Sequence, residues 1–315
     1  DIKQAVNRAL RQMRYVTIVP LTLIPDGDCD ASGVTSWGTA VNSTATKVTA
    51  AANLYRGQRA IFVDNSAANG YLPSATIDVT YDEPSYYLQA RVRADVGTAK
   101  LVAYDATGSA EIKSETWDDQ GWGTLSFQFS LSSDCDQLVI RLQGVETTAD
   151  TYWDDVILLR VGAREVSLPD YIVTPGQLRY VYHDIERDQA DRDAYQEYEW
   201  WRARPDMSNP NQMFKLQLYP QITHPVWLEV TRPYAALSAD VDTTTAPRDW
   251  IETATAVQLL TELINRAPGT EIAAWKAEWA VRRSKLRRLN AVYMPKPVGR
   301  YTFHDPANVP PMLVY

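Results

Sequence analysis

The sequence predicts a multidomain chain in which an antiparallel β-sandwich is inserted into an α+β host domain made of a helical bundle and a small antiparallel sheet. Three observations carry this. Between about 22 and 161 Lys and Arg become sparse, and short alternating runs separated by turn residues replace any helical period. On either side of that stretch the helical period returns. The first helix has no partner nearby in sequence, so its apolar stripe must dock on something remote.

The elements follow in order. Ile2, Ala5, Val6, Ala9, Leu10 and Met13 recur at spacings of three and four, with Lys3, Arg8, Arg11 and Arg14 on the other face. This is a helix over 1–14, ending before the β-branched run Val16-Thr17-Ile18-Val19 and Pro20. The sandwich strands are read at Ala60–Val63, Ser74–Thr80, Tyr86–Ala94, Lys100–Tyr104, Gly123–Leu131, Gln137–Gln143 and Tyr152–Arg160. Turn clusters such as Asp105-Ala106-Thr107-Gly108 and Asp118-Asp119-Gln120-Gly121 lie between them. Beyond 162, Gln177–His183, Tyr198–Arg204, Met213–Tyr219 and Val226–Thr231 read as a strand meander, with the charged stretch Asp184–Asp193 after the first. Two helices follow. One carries Trp250, Ala254, Val257, Leu260 and Ile264; the other runs from about Glu271 to Asn290 with Trp275, Trp279, Leu286 and Leu289. Pro268-Gly269 turns between them, and the tail Met294–Tyr315 reads as extended. Docking the first helix on these two gives a host of 1–21 plus 162–315, with 22–161 inserted at a surface position.

Composition narrows the function. The chain has 315 residues, 45% hydrophobic and 22% charged, with a net charge of −8. That charge argues against a protein coating nucleic acid with its whole surface. No apolar run approaches the about 18 residues needed to cross a bilayer, and Val16–Ile24 is broken by Pro20. Asp1-Ile2-Lys3-Gln4 does not read as a signal peptide, and a processed N-terminus stays open. Cys29 and Cys135 are either one bridge or, the blander reading, two buried free thiols. His183, His224 and His304 lack zinc spacing, and 14 glycines provide no phosphate-cradling loop. No paired-carboxylate, Ser-His-Asp or Cys-His signature is evident, so the chain is read as a non-enzyme.

Within 22–161 an ordered set of landmarks occurs: Pro25-Asp26-Gly27-Asp28-Cys29-Asp30, Trp37, Gly57–Val63, Tyr86-Tyr87-Leu88-Gln89-Ala90, Trp122-Gly123-Thr124-Leu125 and Tyr152-Trp153-Asp154-Asp155-Val156. In order and spacing this resembles the galactose-binding-like jelly-roll modules, especially the carbohydrate-binding modules of glycoside hydrolases. The resemblance implies a structural calcium tying the first strand to the last, with Asp30, Asp154 and Asp155 as its carboxylates. Asp30 departs from the family's longer Glu, which shortens its reach. Sugar binding needs exposed flat aromatics. Tyr55, Tyr71 and Trp117 fall near loops and are the candidates for glycan contact. Trp37, Trp122, Phe127 and Tyr87 sit in strand patterns and read as core.

The host carries Asn7-Arg8-Ala9-Leu10, Pro225–Tyr234, Leu237–Thr245 and Pro247-Arg248-Asp249-Trp250-Ile251. Together these resemble head-to-tail adaptor (connector) proteins of tailed bacteriophages. That resemblance implies a twelve-fold homo-oligomeric ring contacting portal and tail proteins, located in the virion neck and assembled in the host cytoplasm. Lys276, Arg282, Arg283, Lys285, Arg287 and Arg288 would then face packaged DNA or a neighbouring subunit; the alternative reading is a solvated helix face. Two functions therefore compete: a virion structural adaptor with a decorating jelly roll, and a surface or secreted carbohydrate-binding protein with an accessory α+β domain.

Overall fold

The computed structural model describes residues 2–12, 14–79, 85–168, 172, 177–184, 195–198, 200–205, 214–219, 221–233, 246–266 and 272–293. Contacts divide the chain into two compact units: Asp1–Thr17 with Val230–Tyr315, and Ile18–Glu229. Residues 162–229, assigned to the host from sequence, fall in the same unit as the sandwich.

The larger unit is built on two five-stranded antiparallel sheets. One contains β2 (Ser43–Val48), β3 (Ala60–Asn65), β11 (Asp150–Arg160), β6 (Tyr86–Val96) and β9 (Gly123–Phe129), in that spatial order. The other runs β4 (Tyr71–Pro73), β10 (Gln137–Gly144), β7 (Ala99–Asp105), β8 (Ala110–Trp117), with β5 (Ile77–Asp78) also paired to β10. Alternation explains the layering. Leu138, Ile140 and Leu142 of β10 enter the core while Val139 and Arg141 face outward. Leu125, Phe127 and Phe129 of β9 do the same from the opposite sheet. Trp153, Tyr86, Ile61, Leu72, Leu88 and Leu101 fill the space between. The buried Trp153 indole donates to Thr151 Oγ1 at 2.9 Å, so its one polar atom is satisfied.

Three details depart from the sequence reading. The run Ser74–Thr80 is not one strand, because Ser74 Oγ accepts from Ile140 N and donates to Ala75 O, interrupting the ladder between β4 and β5. β2 and β8 went unread, since both lie at sheet edges and their outward positions are Thr, Lys, Ser and Glu. Cys29 and Cys135 are buried and free. Burial raises both thiols, Cys135 to about 11, which leaves them unreactive at neutral pH.

The strands expected as one meander are divided. β15 (Trp200–Pro205) pairs with β16 (Phe214–Tyr219), whose other edge takes β12 (Glu165–Ser167), a segment not read as a strand from sequence. β13 (Leu178–Asp184) pairs instead with β14 (Tyr195–Glu197). β1 (Arg14–Pro20), formed by the β-branched run, and β17 (Val226–Pro233) carry the chain through the junction between the units.

The smaller unit contains α1 (Ile2–Gln12), α2 (Arg248–Arg266) and α3 (Ile272–Tyr293). Ala9 and Leu10 share one apolar cluster with Ala246, Trp250 and Ala254, and Leu286 and Leu289 of α3 pack on it. Arg8 also pairs with Glu262. Trp250 Nε1 donates to Asn290 Oδ1 at 2.6 Å. Asn290→Ala strands that buried donor and is expected to cost about 1–2 kcal/mol, read by urea denaturation. The Pro268-Gly269 turn, the acidic stretch after Asp184 and the tail Met294–Tyr315 lie outside the described residues.

Candidate functional site

Two places on the sandwich concentrate polar and aromatic chemistry. The first is where the opening turn meets the closing strand. Val156 N donates to Gly27 O at 2.6 Å, and a Cβ on Gly27 would sit 2.4 Å from Val156 O, so glycine is required for this approach. Asp155 lies at a register shift between β11 and β6 and takes a φ of 43°, a costly conformation for a non-glycine residue.

The three carboxylates expected to bind calcium are placed here; backbone amides engage Asp30 and Asp154, while Asp155 Oδ2 is buried without a hydrogen-bond partner among the described residues. Asp30 Oδ1 accepts from Gln58 N at 2.7 Å and Arg59 N at 3.1 Å. Asp154 Oδ2 accepts from Arg56 N at 2.9 Å, and its Oδ1 from Asp155 N at 2.8 Å. Asp155 Oδ2 stands 3.8 Å from Arg56 Nε. At the opening turn, the Lys47 ammonium donates to Asp26 Oδ2 and to Cys29 O, each at 2.6 Å. Calcium takes six to eight oxygens. Among the described residues no group of three or more His, Cys, Asp or Glu is placed to hold a metal ion. The cations beside these carboxylates are the Lys47 ammonium, on Asp26, and the Arg56 guanidinium, near Asp155.

The second place is the outer face of the β11 sheet. Phe62 of β3 and Tyr152 of β11 are cross-strand partners with ring centroids 4.8 Å apart. Arg93 of β6, paired with Tyr152 in the ladder, lies 4.3 Å from that ring. Its NH1 donates to Ala52 O at 2.6 Å and its NH2 to Asn53 Oδ1 at 3.0 Å, pinning the loop 51–57 over the sheet. That loop presents Tyr55, whose ring is 5.7 Å from Trp122 and 4.6 Å from the Arg91 guanidinium. Among the described residues, the buried donors Trp122 Nε1, Gln89 Nε2 and Arg91 Nε on this side have no protein acceptor. Four aromatic rings, two guanidinium groups and unused donors therefore share one sheet face.

The expected glycan contacts separate. Tyr55 belongs to this face. Trp117 does not: its indole donates to Asp119 O at 2.9 Å and Gly121 O at 3.2 Å, anchoring a turn, and its ring lies against Gly123. Tyr71 lies on the outer face of the other sheet. Trp122 and Tyr87, read as core, are half-buried on the outside; Trp37 and Phe127 are core. Phe62 and Tyr152 were missed. Their signal was parity: each adjoins a buried residue in its strand, so each points the other way.

The helix cations Lys276, Arg282, Arg283, Lys285, Arg287 and Arg288 are all exposed on α3. Arg282 pairs with Glu278 one turn away at 2.7 Å, and Arg283 lies 4.5 Å from the Trp279 ring. Both contacts are local to the helix.

No family model and no curated protein matches the sequence. Solved structures resemble part of the chain. TmCBM61, determined in complex with β-1,4-galactotriose, is 13% identical, with 44% of this chain and 98% of that one covered at a TM-score of 0.34. A family 16 carbohydrate-binding module is 12% identical, covering 44% and 99% at 0.35. The enzymatically active domain of tailspike protein 4 from bacteriophage CBA120 is 9% identical, covering 44% and 21% at 0.35. Nothing among these resemblances supports a head-to-tail adaptor.

Proposed function

We propose that the sandwich binds neutral carbohydrate across the outer face of the β11 sheet. The observation carrying this is the juxtaposition of Tyr55, Trp122, Phe62 and Tyr152 with Arg91 and Arg93. A pyranose ring offers an apolar C–H face to an aromatic ring and a rim of hydroxyl acceptors to N–H donors. The unused donors of Trp122, Gln89 and Arg91 match that rim. The remainder of the chain is then an accessory α+β region. The twelve-fold adaptor ring in the virion neck, with portal, tail and DNA contacts, gains no observation from the structure beyond the sequence resemblance that suggested it.

The test is isothermal titration of the full chain with linear neutral β-1,4-linked oligosaccharides of galactose, xylose and glucose. At least one should bind. Trp122→Ala, at a half-buried position whose truncation leaves the core intact, should weaken that binding about 10- to 100-fold, as loss of an interface anchor does. Absence of binding across the panel, or unchanged affinity in both Trp122→Ala and Tyr55→Ala, removes the proposal.

A further inference from the structure

The opposite sheet carries a second site of different chemistry. On the outer face of the β10 sheet lies a cavity of about 360 Å³, lined by Tyr71, Pro73, Thr76, Tyr104, Val139 and Arg141 among others. The ladder explains how these meet. Arg141 pairs with Pro73 on one side and Val102 on the other; Tyr71 pairs with Gln143, and Tyr104 with Val139. Arg141 is thus diagonal to both tyrosines. Its guanidinium carbon lies 4.4 Å from the Tyr71 ring centroid and 3.2 Å from that of Tyr104.

A guanidinium held by two rings keeps its in-plane N–H edge for something else. Arg141 Nε is buried with no acceptor, and among the described residues no ion pair to Arg141 exists. Glu111 of β8, beyond β7, is bonded by Lys100 at 2.7 Å, with the Arg141 charge acting on it from further away. The cavity therefore contains a cation with no direct ion pair among the described residues, held in orientation by two rings, and its volume lies in the about 300–1,000 Å³ range of small-molecule sites. A planar fork of this kind matches a carboxylate with two parallel hydrogen bonds. The apolar floor of Pro73 and Val139 and the exposed hydroxyl of Thr76 suit a compact polar ring better than an extended peptide.

We infer that this cavity binds the carboxylate of an acidic sugar, a uronic acid unit, through Arg141 clamped between Tyr71 and Tyr104. The site is separate from the neutral-sugar face, sharing no residue with it, and either stands if the other fails.

The experiment titrates the full chain, at low salt, with three probes: trigalacturonate, a glucuronate-bearing xylo-oligosaccharide and a mannuronate trimer. At least one binds, and added salt weakens it. Arg141→Gln reduces that affinity about tenfold or more, and Arg141→Lys also weakens it because the charge remains but the fork is lost. Trp122→Ala leaves it unchanged, while neutral-oligosaccharide binding shows the reverse pattern across the two variants. Thermal melting of each variant confirms folding, and Arg141→Lys serves if Arg141→Gln does not fold. Binding by none of the three uronates overturns the proposal. So does binding that survives both Arg141 variants, or that disappears in Trp122→Ala.

Discussion

Lys47→Met is expected to destabilise the sandwich by about 3–5 kcal/mol at neutral pH, the usual cost of stranding one partner of a buried ion pair. Both side chains of the Lys47–Asp26 pair are only 4% exposed. Burial raises the Asp26 carboxyl above its ordinary value, and the Lys47 charge and hydrogen bond act next, pulling it back down. Without Lys47 the burial acts unopposed, and Cys29 O loses a donor as well. The deficit should shrink at acid pH, where Asp26 takes up a proton. The double variant Asp26→Asn with Lys47→Met should recover part of the loss, because no buried charge is then left unpaired. Urea denaturation of the full chain measures all three. A chelator should not move the melting temperature, since the Lys47 ammonium already stands on Asp26. A Lys47→Met loss below about 1 kcal/mol, or a fall of several degrees on adding chelator, would show that the ammonium is not the tie.

The contrast between what could and could not be read from the chain has a physical origin. β9 and β10 were legible because each alternates apolar and polar side chains across a buried core, and β11 because its run Val156–Leu159 is continuously apolar. β2 and β8 were not, because an edge strand needs little apolar content. Asp154 and Asp155 stood out as a motif, yet their true partner is Arg56, 98 positions from Asp154, and nothing local encodes that pairing. The binding face failed for a related reason. Tyr152 adjoins Trp153, and period-two alternation says only that the two point to opposite sides. Deciding which side is core needs the neighbouring strands. Once Ile61 and Val63 face inward, Phe62 must face out beside Tyr152, and the aromatic pair follows from register alone. Trp122 precedes β9 and escapes the alternation that buries Leu125 and Phe127.

Stability should also fall as pH rises from about 4 to about 6, through the Asp154–Asp155 pair. Asp154 is fully buried and Asp155 is 2% exposed. Burial pushes Asp155 up to about 6, with Arg56 and Arg91 opposing it, and drives Asp154 well above the carboxylate range with the Asp155 charge adding to the effect. The folded values lie above the unfolded one of about 3.9. In this window the folded pair holds protons that the unfolded chain has released. Fewer protons on the unfolded state means that unfolding free energy decreases with rising pH, and the decline levels off above the folded values. Asp155→Asn keeps the volume and cannot ionise. Denaturation midpoints of the two proteins, compared from pH 4 to pH 8, should diverge in favour of the variant as pH rises, which cancels the other titrating groups. Parallel profiles would place the pair's titration elsewhere. The consequence reaches the binding face. Arg56 N donates to Asp154 Oδ2, and Arg56 follows Tyr55 in the loop over the β11 sheet. Ionised Asp154 accepts that bond better than its acid form does. Ionisation of Asp154, which burial moves well above the ordinary carboxylate value, therefore costs stability while strengthening the anchor beside Tyr55.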